Sequence, residues 1–311
     1  MDRGDKPADD GNKERVTRTE SMSERALIVT ADDFGLSLAV NEAVEEAHRK
    51  GVLTSASLVV TGEAAADAVR RAKKMPRLGV GLHLALLDAP SALKPSQIPD
   101  LIEPGRDYLG SKAAITGAKI ALVKSVREQA RAEMHAQFAL YRKTGLKLDH
   151  VDGHWHFHMH PTVVSILLHD LAGPFGIKAM RVPREPAGPS SRAAGTGSVK
   201  RWSTALANGP LWGVMRARLR RAGIGSNDWF FGLNDTGAVV RERMLGFVAQ
   251  LPAGVSEIGL HPASGPLEGP FAPPAHYRVT EELAALTDPE VIEACRQVRL
   301  GRFSDFVSAE G

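Results

Sequence analysis

Five of the chain's eleven histidines fall in the eleven residues from His150 to His160. The run reads Asp149-His150-Val151-Asp152-Gly153-His154-Trp155-His156-Phe157-His158-Met159-His160-Pro161. Each of these histidines is an even number of positions from the others. Side chains alternate faces along a strand, so His150, Asp152 and His154 would share one face of a strand and its end. Neutral imidazoles turned to one cavity suit a divalent transition metal or proton transfer. The run alone does not say which histidine binds. Its blander reading is a polar loop.

Three further features stand at the ends of predicted strands: Asp32-Asp33, His83 and His261. In a parallel α/β sheet or barrel the C-terminal strand ends share one rim, where active sites form. Residues distant in sequence therefore converge there. One carboxylate and two neutral imidazoles make a metal site with positions left open for water and substrate. Such a metal acidifies water and polarises a carbonyl. Hydrolysis then needs a carboxylate to take a proton and an acid to protonate the leaving group. The second carboxylate of Asp32-Asp33 can do the first, and a histidine across the site the second. Taken singly, each feature has an ordinary account: a solvated turn, a satisfied core histidine, a loop start. The joint pattern is much harder to reach by chance. His48, His135, His169 and His276 lie in predicted helices or variable loop and are assigned no role.

These groups need elements to hold them. Ala26 to Thr30 is a short apolar run typical of a buried parallel strand. Ser37 is a candidate N-cap for an amphipathic helix over 38–50, which Gly51 would stop. Ala56 to Val60 predicts a strand and 63–74 a helix. Gly79 to Leu84 is a third strand, and loop follows to about 111. One long helix is expected over 117–143, ending at Gly145. Leu146 to Val151 is the strand that feeds the histidine run. A helix over 161–172, a strand from Ala179 to Val182 and a late strand from Val255 to Leu260 complete the pattern. Alternation of this kind argues for a parallel sheet, open or closed into a barrel. No internal repeat is visible.

The stretch 184–227 departs from that alternation. Leu211, Met215 and Leu219 share a helical face with Trp212 beside them, and Arg216, Arg218, Arg220 and Arg221 cover the remainder. The ordinary reading is a surface helix with a buried stripe. The sharper one is a lid that touches an apolar acceptor or a membrane surface.

Bulk properties narrow the function classes. With 311 residues, 43% of them apolar, the chain can build a large core. A net charge of +3 without a basic run interleaved with aromatics argues against nucleic acid. Cys295 is the only cysteine, which excludes an intrachain disulfide and a thiolate metal cluster. No stretch approaches the ~18–20 apolar residues of a membrane span. Residues 1–24 are polar, lack a secretory h-region and read as a disordered tail, so a reducing cytoplasm is the expected compartment.

The segments Ala31-Asp32-Asp33-Phe34-Gly35, Gly81-Leu82-His83-Leu84, His150-Val151-Asp152-Gly153-His154 and Leu260-His261-Pro262 together resemble the YdjC-like carbohydrate deacetylases. Ile28 to Asn41, Gly51 to Leu58, Ile98-Pro99-Asp100-Leu101 and His154 to Pro161 are similar to the hopanoid-biosynthesis-associated branch, HpnK. The resemblance spans roughly residues 25–305, most of the chain. It implies an α/β fold, an irregular (β/α) barrel, as one domain over 25–311 with an insertion or lid at about 184–227. It also implies one divalent metal, Mg²⁺ or Zn²⁺, and removal of an N-acetyl group from an amino sugar. The ligands it implies are Asp33, His83 and His154. Analogy with the related NodB-type deacetylases makes Asp32 the base and His261 the acid. In that analogy Arg181, in Arg181-Val182-Pro183, supports the base. His150, Asp152, His156 and His158 would then contact the substrate or brace the ligands. Asp152-Gly153 stands where the branch commonly has Asn-Ala, both pairs being small and polar, then small. The choice of His154 over His156 stays open.

The expected function is thus a metal-dependent amidohydrolase acting on an N-acetylglucosamine-type group. Its acceptor would be a hopanoid glycolipid, reached from the inner face of the cytoplasmic membrane through residues 200–221. A deacetylase of soluble chito-oligosaccharides is the runner-up. A catalytically inactive sugar- or lipid-binding barrel is a third reading, disfavoured because Asp32 and His261 are both present. A homodimer is left open.

Overall fold

The protein is described here from a computed structural model that covers residues 25–307. The polar tail expected at 1–24 lies outside the described residues.

β1 (Arg25–Phe34) is the central strand, and its run from Ala26 to Ala31 is buried on both faces. A strand with parallel neighbours on each side and helices over the sheet needs such an uninterrupted apolar run. β2 (Ser55–Leu58) and β3 (Gly79–Leu84) follow, with β4 (Val151–Gly153), β5 (Trp229–Phe231) and β6 (Gly254–Leu260) later in the chain. The order across the sheet is β4-β3-β2-β1-β6-β5, with every pair parallel. β7 (Arg299–Leu300) pairs with Ala26 and Leu27 at the start of β1.

Backbone hydrogen bonds close the ring between β4 and β5. Val151 N–H donates to Ala179 O and Arg181 N–H to Val151 O, both at 3.0 Å. Met180 N–H reaches Gly225 O at 3.0 Å, and Phe230 N–H reaches Arg184 O at 2.9 Å. The expected irregular (β/α) barrel is what these links complete. The segment expected as a strand from Ala179 to Val182 contributes only isolated bridges at Ala179 and Met180. Pro183 follows at once and has no N–H to extend a ladder. The strand expected at Leu146–Val151 forms later, at Val151–Gly153.

α1 (Leu38–Lys50) begins and ends as its sequence predicts. Ser37 Oγ accepts from Val40 N–H at 3.3 Å, and Gly51 N–H donates to Ala47 O at 3.0 Å. α2 (Ala65–Ala72) covers the next crossover. The single helix expected over 117–143 is two, α3 (Ala113–Leu122) and α4 (Lys124–Lys143), broken at Val123 (φ −106°, ψ 114°). The break leaves carbonyls at the end of α3 without helical partners. The Arg127 guanidinium donates to two of them, Ile120 O at 3.1 Å and Ala121 O.

α5 (Pro161–Ile166) runs through a π turn (Leu167–Leu171) into Ala172–Phe175, and Gly176 ends it in the left-handed region (φ 65°). α6 (Ala187–Ala194) and α7 (Ser198–Arg221) fill the stretch 184–227. Trp212, Met215 and Leu219 are buried, so Trp212 is a core residue and not the acceptor-facing group of a lid. The apolar side chains that α7 leaves exposed are Val199, Trp202, Leu206 and Val214. α8 (Arg241–Ala249), α9 (Val279–Thr287) and α10 (Pro289–Cys295) complete the helical cover. Among the described residues no helix is long and apolar enough to cross a membrane.

Candidate active site at the C-terminal rim

Adjacent residues of a regular strand face opposite ways. Asp32 and Asp33 escape this because the β1–β2 register shifts between Ala31 and Phe34 and Asp33 takes φ 64°. Both carboxylates therefore line one cavity of about 330 Å³ with His83, His154, His156 and His261. β3 delivers His83 and the turn after β4 delivers His154, while His261 follows β6.

Asp33, His83 and His154 bring one donor atom each within 4.8 Å of one another. Asp33 Oδ1 lies 3.1 Å from His154 Nδ1 and 3.5 Å from His83 Nε2, yet it is buried and accepts no hydrogen bond. A buried carboxylate oxygen facing two ring nitrogens without a bond to either fits a cation among all three. His83 Nδ1 is 2.9 Å from Asp152 Oδ1. With the proton on Nδ1 donated to Asp152, Nε2 keeps its lone pair for the cavity. Burial alone would lower the His83 pKa, but Asp152, Asp32 and Asp33 outweigh it and raise it to about 9, so a cation held by Nε2 would take the place of a proton there. Burial would raise the pKa of Asp33, and His154, His83 and His261 overcome this and hold it far below the ordinary range. A second cluster, Asp32, His83 and Asp152, also has donor atoms close together. There, however, arginine and serine donors already occupy the two carboxylates.

That arginine is Arg181, which is wholly buried. It donates to Asp32 Oδ2 and Oδ1 at 2.7 and 2.8 Å, a two-pronged grip that fixes the carboxylate plane. Its adjoining Nε–Nη2 edge donates to Glu257 Oε1 from Nε at 2.9 Å and from Nη2 at 2.7 Å. Nη1 also lies 2.7 Å from Asp152 Oδ2, which accepts from Ser57 Oγ at 2.7 Å. Burial raises the Asp152 pKa, yet Arg181 and His83 reverse that and hold it well below the carboxylate range. For Glu257 burial prevails over Arg181 and the shift is upward.

His261 stands across the cavity. Its backbone N–H donates to Glu282 Oε2 at 2.6 Å, its ring meets Tyr277 edge-on at 5.2 Å, and Nδ1 has no partner. His156 lines the cavity but belongs to no donor cluster among the described residues, and burial, then Arg181, push its pKa well down. His150 and His158 do not line the cavity. His150 lies between Ser57 and Asp149, stacked on Phe303 at 4.3 Å. Its ring passes so close to Gly81 that an added Cβ there would lie 2.5 Å from it. His158 braces the network by donating from Nε2 to Arg181 O at 3.0 Å.

Sequence reasoning passed over Glu257 and Ser57. The first had a usable signal: an acid inside the apolar strand Val255 to Leu260 must find a buried cation. Nothing in the local sequence marks Ser57.

A family model described as YdjC-like protein matches residues 26–297. The chain is 30% identical over 288 residues to a carbohydrate deacetylase of Geobacillus stearothermophilus, covering 91% of this chain and 98% of that protein. It is 36% identical over 164 residues to a chitooligosaccharide deacetylase of Salmonella dublin, 52% of this chain and 61% of that protein. Among solved structures, an Enterococcus faecalis protein named for a proposed cellobiose-phosphate cleavage superposes with a TM-score of 0.67. That match has 22% identity and covers 91% of this chain and 99% of that one. At that identity the likeness speaks for the fold.

Proposed function

The chain belongs to the YdjC-like protein family, and on that premise we propose that it is a metal-dependent carbohydrate N-deacetylase. The observation that carries the reading is the unbonded, buried Asp33 Oδ1 facing His83 and His154, beside an Asp32 held by Arg181. Asp33, His83 and His154 would hold the ion. A divalent cation there, Mg²⁺ or Zn²⁺, supplies Lewis acidity toward a carbonyl oxygen and toward water.

The remaining work falls to the chain's own groups. Asp32 takes the proton from the attacking water, and Arg181 keeps its carboxylate aimed at that water. His261 gives a proton to the amide nitrogen as the C–N bond breaks. Water and the N-acetyl sugar thus become acetate and a free amine. Asp32 and His261 line one cavity, which is what acid and base acting on one carbonyl require.

The substrate is an N-acetylglucosamine-type sugar, and a relative named for chitooligosaccharide deacetylation supports a soluble chito-oligosaccharide as its carrier. A second reading places that sugar on a lipid such as a hopanoid, with the protein peripheral at the cytoplasmic membrane. It is favoured by the exposed Val199, Trp202, Leu206 and Val214 of α7. Thr204 Oγ1 ties that helix to Asn234 at 3.1 Å, next to the cavity-lining Leu233.

The test is acetate release from N,N′-diacetylchitobiose by metal-loaded protein. Chelation should abolish it and either ion restore it. Turnover that survives full metal removal would overturn the reading. Trp202→Ser with Leu206→Ser should lower activity on a lipid-linked acetylated sugar more than on the disaccharide, and equal effects dismiss the lipid reading.

A further inference from the structure

Among the described residues four non-glycine positions have positive φ: Asp33 (64°), Asp88 (47°), Trp155 (55°) and His156 (53°). All four line the same cavity. L-residues seldom adopt this backbone, aspartate and histidine more readily than tryptophan, and such positions cluster at functional sites. The strand shift explains Asp33, and His156 is carried into the buried wall. Trp155 and Asp88 have no such account. Trp155 leaves 57% of its surface exposed, so burial does not compensate its conformation. The Asp88 carboxylate has no hydrogen-bond or ion-pair partner among the described residues, although its side chain is on the cavity wall.

The indole centre is 6.1 Å from the imidazole centre of His154, one ring-width outward from the metal-facing cluster. Phe271, held edge-on to Tyr108 at 5.3 Å, lines the same mouth. An acetamide placed at the cluster puts the pyranose ring that bears it in this zone. Such a ring has an apolar C–H face and a rim of hydroxyl donors. An exposed indole matches the first and an unpartnered carboxylate matches the second.

We propose that Trp155 and Asp88 form the subsite for the pyranose ring, the indole lying under its C–H face and the Asp88 carboxylate accepting from its hydroxyls. This rests on the deacetylase reading, whose reaction it supplies with a specificity device. The left-handed turn at 155–156 is the means by which one short segment turns His154 to the cluster and the indole to the mouth.

The test compares wild type, Trp155→Asn, Trp155→Phe and Asp88→Asn. Asparagine tolerates the left-handed backbone, so it removes the ring and spares the turn. Calorimetric titration with N,N′-diacetylchitobiose should show binding weakened about tenfold or more in Trp155→Asn and in Asp88→Asn, and recovered in Trp155→Phe. Melting should show Trp155→Asn at least as stable as wild type. The loss of kcat/KM on the disaccharide should exceed the loss on 4-nitrophenyl acetate by about tenfold and sit in KM. Losses of equal size on both substrates, or a disaccharide affinity that neither Asn variant changes, overturn the subsite. A wild type that does not bind the disaccharide overturns it as well. Binding that depends on Trp155 without acetate release would sink the deacetylase reading and leave the subsite standing.

Discussion

Arg181 and Asp32 meet through two parallel hydrogen bonds, 2.7 and 2.8 Å long, and the arginine has no exposed surface. The same guanidinium also faces Asp152 and Glu257. One buried cation therefore orients the proposed base and, through Asp152, the proposed ligand His83. The two functions of the site share a support.

Replacing Asp32 with Asn should separate them. The amide keeps the shape but cannot take a proton, so kcat should fall about 10²–10⁴-fold. Bound metal, measured by elemental analysis, should stay near one equivalent. A matching loss of metal would exchange the roles of Asp32 and Asp33.

Removing the support itself should cost stability. In Arg181→Met three buried carboxylates lose their cation, a change expected to destabilise by about 3–5 kcal/mol. Urea unfolding monitored by circular dichroism reads this directly. An unchanged midpoint would mean that the carboxylates take up protons without penalty.

Asp152→Asn should weaken metal binding about 10–100-fold, because the His83 ring loses the carboxylate that fixes its proton on Nδ1. Asp33→Ala, His83→Ala and His154→Ala should each lose nearly all bound metal, and His156→Ala should keep it. Metal retained in His154→Ala but lost in His156→Ala would transfer the ligand role to His156.

His261→Ala should bind metal and substrate but release acetate about 10²–10⁴-fold more slowly. The defect should shrink on acetyl esters of acidic phenols, whose leaving groups need little protonation. A defect of one size on amide and activated ester would remove His261 from the acid role.

His158 predicts a pH dependence of stability. Burial, opposed in part by Asp152 and the Arg181 carbonyl, lowers its pKa to about 4. In an unfolded chain a histidine titrates near 6.5, so between these values the unfolded state binds more protons. Stability is complete above about pH 6.5 and falls by about 3 kcal/mol as pH drops to 4. His158→Gln should be less stable at pH 7 and should lose less between pH 6.5 and 4. Parallel denaturation curves for both proteins across that window would contradict the assignment.

Much of this is legible in the sequence alone. Ala26 to Thr30 and Val255 to Leu260 announced buried parallel strands because only Thr30, Ser256 and Glu257 in them carry polar side chains. Ser37 and Gly51 bracketed α1, the serine through its side-chain oxygen and the glycine through its backbone N–H. The strand-end rule then gathered Asp32, Asp33, His83 and His261 without knowledge of the fold. What stayed hidden depends on tertiary partners. Val123 breaks a helix with no Gly or Pro to announce it, and Arg127 four residues later makes the break tolerable. Asp32 and Asp33 face one way only because of a strand shift that no residue type signals. His158 shared the parity of His154, but the chain leaves extended geometry at Trp155 and sends it elsewhere, while His150 precedes β4 and packs beside Asp149 and Phe303, away from the rim.

The pairing of β1 with β6 also sets an order of events during synthesis. β1 is the first of the described strands to be made, yet its register with Gly254 to Leu260 cannot form until the ribosome has added more than two hundred further residues. At about 5–20 residues per second, its β6-facing edge waits on the order of tens of seconds for a partner. Asp32 is translated long before Arg181, and Arg181 before Glu257. The wholly buried charge of Arg181 is thus fully balanced only when residue 257 has been added. Until residue 260 has emerged, that edge of β1 lacks the strand it pairs with in the folded protein.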